Sequence, residues 1–527
     1  MVALAVAALA FSAAWVALLY SISWHAFAAN SDDANVVLAG HSFVHGNPFL
    51  HGWQLPADPY WLTDVPVYGA FVAVTGLRAS LMHAVPAALA ASVVLVAVWL
   101  ASRGARRGGW WTWTGGATTF VIIGLPVPLF STFFLQGPQH VATILACLIA
   151  FAALAGAPSR RRWVLATVLL AAAVAGDPFG LAIGIAPVVA GALVAASRAR
   201  EWKEAVPGVA AAATSSVAAF GARAATSALG GFTISRGPPM APPRRWPHNV
   251  AELPHRALAL LGVLHEVAIP GQSTPSRLVH LAGALACAAA IIVSSALIVG
   301  RLLRRRSPSP QRRLEDVVTL GAWGCLGASV VLTPRGSDFN ADRYLIAAVV
   351  FGSILAGRMV TRARLPQGFR SVPSIALSCV GLTVGAFYLA ASLSALRVPE
   401  PTNSAAPLAQ WLRARGLSRG FGAYWDASIV TLEDRGRIRI RPVIASRGRL
   451  HALHFFASSD WFVGRERTAP ARFLVFEPAR PFDHVNDATA LATFGPPASS
   501  ASVGPYRILL WDHDLSPALG APTGIFQ

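Results

Sequence analysis

Charge is scarce in this chain. Asp, Glu, Lys and Arg make up 13% of its 527 residues, against roughly a quarter in a soluble globular domain, which excludes an ordinary soluble fold for most of the length. Lysine is nearly missing, Lys203 being the only one. Cysteine is scarce too. Cys147, Cys287, Cys325 and Cys379 all lie inside apolar runs, so neither a disulfide framework nor a cysteine metal site is expected. The sequence has no Walker A motif and no nucleotide-binding glycine fingerprint, which weighs against an ATP-driven pump and a cytoplasmic nucleotide-sugar enzyme.

What is present is apolar. Hydrophobic residues account for 54% of the chain and the mean hydropathy is +0.53. About eleven runs read as membrane spans: 2–24, 80–101, 112–132, 141–154, 163–176, 181–196, 205–225, 278–299, 317–332, 344–360 and 375–396. The first is longer than a signal-peptide core and has no basic flank before it, so it reads as a retained span. The stretch 163–196 is either two crossings or a re-entrant hairpin, and both leave the same sidedness downstream.

The net charge of +19 is nearly all arginine. A basic balance can signal nucleic acid, but these arginines fall in short clusters between apolar runs, so no nucleic-acid partner is expected. The clusters 103–107, 160–162, 197–203, 301–313 and 358–364 share one side, and the short loops near Gly137 and Pro178 carry none. The positive-inside rule places the clusters in the cytoplasm. The predicted topology is a multi-pass protein of the plasma (inner) membrane with a cytoplasmic N-terminus. Outside lie the loop 26–79, the loop 226–277, the short loop 334–343 and everything after Arg397.

That tail, 397–527, has no span-length apolar run. Short strand-like runs at 437–443, 472–476 and 506–511 alternate with helix-like stretches at 404–416 and 487–495. The alternation predicts a small soluble α/β domain following a membrane domain, 1–396.

The densest ionisable cluster opens the first outer loop. "NSDDANVVLAGHSFVHGNPFLHGW" (30–53) carries Asp32, Asp33, His41, His45 and His51, and Asp58 and Asp64 follow. "NSDDA" is helix-cap chemistry, and acids in a first turn complement the helix dipole. The loop also reads as two interfacial helices that present carboxylates at the membrane surface. A carboxylate held there can act as a general base if it reaches a substrate hydroxyl.

This layout resembles the GT-C glycosyltransferases, the class of the protein O-mannosyltransferases and the lipid A aminoarabinose transferases. The resemblance rests on a first span, an outer loop opening with an acidic pair, two juxtamembrane helices, many further spans and a soluble C-terminal domain. It implies a polytopic α-helical GT-C-like fold in which Asp32 matches the leading acid and Asp33 the second. It further implies a polyprenyl-phosphate sugar donor, an inverting displacement, and Asp32 or Asp33 as catalytic base. The acceptor it implies is a cell-envelope glycan, lipid or protein. Metal use varies within the class, so no ion is assigned, and no nucleotide or organic cofactor is expected.

Other groups on the same face are substrate-binding candidates. His140 starts a span after a short outer loop, and is either a cap or a site residue. Asp177 sits in an Asp-Pro turn between apolar runs, where a carboxylate usually has a partner or a task. Arg343 and Tyr344 stand at the mouth of a span. There, by the same resemblance, an arginine meets the lipid phosphate, its planar fork suiting that anion; the alternative is a snorkelling arginine. Asp64, His51, Arg244 and Arg245 complete the set, the last two in a proline-rich stretch that reads as a linker or a closing loop. Asp32, Asp33, His140 and Arg343 are expected to share one cavity. In the tail, Trp425 and Asp426 read as a sugar contact or, better, as a buried core, and "WDHD" (511–514) as a strand end at the surface.

Two other classes stay open. A transporter or flippase would carry polar groups on broken helices near mid-membrane, in paired halves; here ionisable groups gather at outer ends. A non-catalytic envelope protein would keep the same layout without activity.

Overall fold

The computed structural model describes residues 2–103, 111–156, 159–235, 240–264, 273–304, 309–334, 339–362, 374–401, 403–462, 469–480 and 483–523. Arg106, Arg107, Arg305, Arg306 and Arg364, counted above among the basic clusters, lie outside them. The chain forms two compact bodies. One comprises Met1–Phe27, Pro86–Phe220 and Pro238–Pro399; the other comprises Ala28–Val85, Gly221–Gly237 and Glu400–Gln527. The first outer loop thus folds in one body with the C-terminal tail.

The first body is helical. Each of the eleven apolar runs is helical over most of its length. By length and composition, six helices among the described residues suffice to cross a membrane, or seven if one bent pair counts as a single span. The bent pair corrects the expected span 112–132. Its chain runs as a helix to Gly124, breaks, and resumes as Pro128–Phe134 at 86° to its former direction. Pro126 and Pro128 explain the break, since proline offers no amide donor and clashes with the preceding turn. At the centre stands the helix Ile346–Arg362, in which every residue from Ile346 to Arg358 is buried. A helix apolar all round belongs in an interior.

Several arginines read as loop charge are instead held within this body. Arg198 donates to Asp316 at 2.5 Å and Arg301 to the same carboxylate at 3.2 Å. Arg358 donates to Glu315 at 3.1 Å and to the carbonyl of Leu100 at 2.6 Å. Buried charges persist when paired and hydrogen-bonded in this way.

The second body starts with α1 (Ser31–Val44) and α2 (Asp64–Thr75), the two helices expected in the first loop. They pack closely at two glycines. A Cβ on Gly40 would stand 2.7 Å from the Gly69 amide nitrogen and 2.9 Å from the Tyr68 Cβ. Between them β1 (Trp53–Leu55) pairs with β2 (Thr233–Ile234) and with Ala457–Ser458 in a three-stranded sheet.

The tail builds a seven-stranded mixed sheet. Its central strand, β3 (Arg419–Ala423), runs parallel to both β4 (Arg439–Ser446) and Phe473–Phe476. Its other strands are Arg449–Leu453, Ser499–Val503, Tyr506–Leu510 and Gly520–Thr523. Phe421, Val443, Leu450, Leu474 and Leu509 form the core with Phe494 and Trp511. The helices Ala405–Ala414 and Asp487–Phe494 fall where the helix-like stretches were expected.

Candidate functional site

In the second body the acidic pair divides into two roles. The N-cap of α1 is Asn30, whose side-chain oxygen accepts from the amides of Asp32 (2.8 Å) and Asp33 (3.3 Å). Asp33 completes a reciprocal capping box, its carboxylate accepting from the Asn30 amide at 3.0 Å. It is fully buried. The cap expected of a Ser or Asp is therefore made by Asn30 and Asp33, and the Asp32 carboxylate is left out of it.

Asp32 is half-buried, and its carboxylate accepts a hydrogen bond from the hydroxyl of Tyr424. Tyr424 opens the helix Tyr424–Glu433, which packs on α1. The same hydroxyl receives a hydrogen bond from Asn35 Nδ2 at 3.4 Å, and the Tyr424 amide donates to Asp483. Burial first, then the Asp32 charge, hold the phenol well above its ordinary pKa. It therefore remains a donor at any physiological pH and fixes the direction of the carboxylate. The arrangement is a partly open base with a permanent orienting partner. Tyr424 was not singled out from the sequence; its neighbours Trp425 and Asp426 were. Trp425 is half-buried and meets the Tyr424 ring edge-on at 5.0 Å. Asp426 is buried, and that burial raises its pKa to about 7.

Asp64 begins α2 and is buried. Burial first, and then the charges of Asp64 and Asp33, raise the pKa of Tyr68, so both acids sit near that phenol. His51 is exposed, its Nδ1 lying 2.9 Å from the Gly230 carbonyl, and so ties the first loop to the segment before β2. "WDHD" ends a strand as expected: Trp511 is buried, and Asp514 accepts from Ala471 and Ser516.

The first body gathers His140, Asp177, Arg343 and Tyr344. His140 is the N-cap of Val141–Ala155 and has a left-handed backbone (φ 65°), a conformation uncommon outside glycine. Its Nδ1 lies 2.7 Å from the Asp177 carboxylate, which also accepts from Thr143 at 2.8 Å and from the Phe179 amide at 2.9 Å. These are group types that hold divalent ions, but three donors already engage the carboxylate, which makes it an anchor for the histidine. The rings of Phe179 and Tyr344 lie 4.9 and 5.3 Å from the His140 ring. Arg343 is half-buried, stacks at 5.0 Å over Tyr344 and donates to its hydroxyl at 3.0 Å. Asp342, beside it, receives Arg256 at 2.5 Å.

Arg244 and Arg245 are exposed, on the turn Pro243–Arg245, and Arg245 donates to the Pro334 carbonyl. The stretch read as a linker or loop continues as the helix Trp246–Leu260, anchored where buried Asn249 donates to the carbonyls of Val330 and Thr333.

No protein-family model matches the sequence, and no curated protein does. Solved structures share the fold, and it is the fold of the GT-C glycosyltransferases. ArnT from Cupriavidus metallidurans, an aminoarabinose transferase, superposes with a TM-score of 0.55 at 13% identity in its complex with undecaprenyl phosphate. The match covers 95% of this chain and 97% of that one. The apo form of the same protein gives 0.55 at 13% identity over 98% and 99% of the two chains. The arabinofuranosyltransferase AftD from Mycobacteria gives 0.47 at 13% identity, over 96% of this chain and 40% of that one. The likeness is one of fold.

Proposed function

We propose that the chain is an integral membrane glycosyltransferase that moves a sugar from a polyprenyl-phosphate donor to an acceptor hydroxyl on the extracytoplasmic side. The observation that carries this reading is the half-buried Asp32 carboxylate in the first turn of α1, oriented by Tyr424 in a chain of GT-C fold. Asp32 takes the acceptor hydroxyl proton while the acceptor oxygen bonds to the anomeric carbon. The bond from that carbon to the lipid phosphate breaks on the opposite side, inverting the centre. Within the first body, the Arg343 guanidinium, held by the Tyr344 hydroxyl, is the group suited to a lipid phosphate. The acceptor is a glycan, lipid or protein of the cell envelope. The N-terminus is cytoplasmic and the tail external.

The full chain in lipid nanodiscs, given labelled polyprenyl-phosphate sugars, should release polyprenyl phosphate as sugar moves to an envelope-extract acceptor. It should leave nucleotide sugars untouched. Failure to consume any polyprenyl-phosphate sugar overturns the reading. A reporter fused after Gln527 that is active only in the cytoplasm overturns the orientation.

A further inference from the structure

The helix Leu81–Ser102 marks where the second body meets the membrane surface. Its 22 residues include no Asp, Glu, Lys or Arg. At a rise of about 1.5 Å per residue it measures about 33 Å, which matches a hydrocarbon core of about 30 Å. Its first residues, as far as Val85, belong to the second body, so Leu81 stands at the hydrocarbon boundary. The chain enters through one tight turn, the Leu81 amide donating to the Arg78 carbonyl at 3.1 Å. Leu77 and Arg78 thus fall in the headgroup layer. Val74, near the end of α2, is 86% exposed just before them.

A turn of the tail meets Leu77. A Cβ on Gly436 would lie 3.4 Å from Leu77 Cδ1, in van der Waals contact. Arg435 and Gly436, both left-handed (φ 56° and 76°), end the helix Tyr424–Glu433. Their amides donate to the carbonyls of Leu432 at 2.9 Å and Thr431 at 2.8 Å. Arginines flank the glycine on both sides, and Arg435, Arg437 and Arg78 are all exposed. Part of this charge is structural. Arg413 and Arg437 share one acid, the buried Asp434, and basic groups complement a helix C-terminus. Arg78 Nε donates to the Thr75 carbonyl at 2.9 Å. Among the described residues, neither Arg78 nor Arg435 has an acid at ion-pair distance. Arg78, Arg413, Arg435 and Arg437 stand against Asp434 and Glu433, a surplus of two positive charges.

We propose that the turn 434–437, with Leu77 and Arg78, is a docking surface for anionic phospholipid headgroups in the leaflet where Leu81 enters. The occupant is a lipid surface because the spanning helix holds this patch at the edge of the bilayer. Apolar side chains at that edge with arginines around them combine the two attractions that hold proteins to anionic membranes. The docking needs the membrane-spanning reading and not the transferase reading, because none of its residues is assigned to proton transfer or to the donor phosphate.

The test is hydrogen exchange of the full chain in nanodiscs of phosphatidylcholine, with and without phosphatidylglycerol. The amides of Arg435, Gly436 and Arg437 are bonded within the turn, so they exchange when it opens. Phosphatidylglycerol should slow exchange in peptides spanning 431–438 by about 5-fold or more, the scale of one arginine near an anionic surface. The hairpin 499–510, at the edge of the sheet away from β4, should not change. Salt at about 1 M, where the screening length falls to about 3 Å, should remove the difference. Glycerol phosphate added to phosphatidylcholine discs should not reproduce it. The double variant Arg78→Gln, Arg435→Gln should lose most of the slowing, and both side chains are exposed, so the fold is kept. Four results overturn the proposal: equal exchange in the two discs, equal slowing of the hairpin, full slowing by glycerol phosphate, or parental slowing in the double variant. A failed sugar-transfer assay would leave every one of these readings unmoved.

Discussion

The phenol of Tyr424 donates a hydrogen bond to the carboxylate of Asp32, joining residues 392 positions apart in the chain. The pairing separates two acids that adjoin in sequence. Asp33 is buried and spent on the helix cap. Asp32 is partly open, and its partner is a tyrosine kept protonated by its surroundings.

Replacing Tyr424 with Phe keeps the ring and deletes the donor. A hydrogen bond to a charged group contributes about 1.5–3 kcal/mol, so turnover should fall by roughly 10-fold or more. A donor also favours the ionised form of the acid it serves. In the variant, the acidic limb of the pH–rate profile should therefore move to higher pH. An unchanged rate and an unchanged profile would reduce Tyr424 to packing.

Asn30→Ala and Asp33→Ala each break the capping box. Each should cost about 1 kcal/mol of stability, read as a lower midpoint of thermal inactivation, with turnover per folded molecule close to the parent. A loss of turnover without a loss of stability in Asp33→Ala would return that acid to the chemistry.

Two buried acids in the tail set a pH dependence. Burial raises Asp426 to about 7 and Asp483 to about 6, whereas an unfolded Asp titrates near 3.9. Between about pH 4 and pH 7 the folded form holds more protons than the unfolded form, so stability falls as pH rises through that window and levels off above it. Each unit of such a shift corresponds to about 1.4 kcal/mol. Hydrogen exchange of the full chain should show peptides spanning 419–443 better protected at pH 5 than at pH 8. Asp426→Asn should flatten that difference; an unchanged slope would contradict the assignment.

Much of this was legible in the sequence, for physical reasons that vary from element to element. Apolar runs announce helices because lipid and core make the same demand, so the eleven runs and the two helices of the first loop were found as helices, but among the described residues only six or seven are long and apolar enough to be spans. The break after Gly124 was missed although Pro126 and Pro128 were visible, because apolar composition continues across it. "GFGAYWDASIVTLEDRGRIRIRPV" (420–443) reads as strand, turn, helix and strand, and β3, the helix Tyr424–Glu433 and β4 follow that order, although "RGFGA" (419–423) is poor in strand-forming residues. The structure explains Gly420: a Cβ there would stand 2.4 Å from the ring of Phe473. Asp32 and Asp33 were both read as base or cap, and only tertiary structure could divide them, since the deciding partner is the distant Tyr424. Asp32, Asp33, His140 and Arg343 were expected in one cavity; His140 and Arg343 each meet Tyr344 within the first body, while Asp32 and Asp33 belong to the second. The partnership of His140 with Asp177 was not anticipated, because each looked self-sufficient as a cap or a turn.

α2 packs against the helix that carries Asp32. Gly40→Ala would press a methyl group against the backbone of Gly69 and the Cβ of Tyr68, atoms that cannot swing aside. Overpacking of this kind costs about 1–3 kcal/mol. The variant should inactivate at lower temperature, and an unchanged midpoint would show that the helices can part without cost.

The most direct measurement is sugar transfer from a polyprenyl-phosphate donor by Asp32→Asn beside Asp33→Asn. Asparagine keeps the size of each acid and removes its proton-accepting charge. At position 33 the amide oxygen can still accept from Asn30, so turnover should stay near the parental value. At position 32 it should drop by about 10²–10⁴-fold, the scale of a lost general base, with folding intact. Parental transfer by Asp32→Asn, or an equal loss in Asp33→Asn, would contradict the assignment of Asp32 as the base.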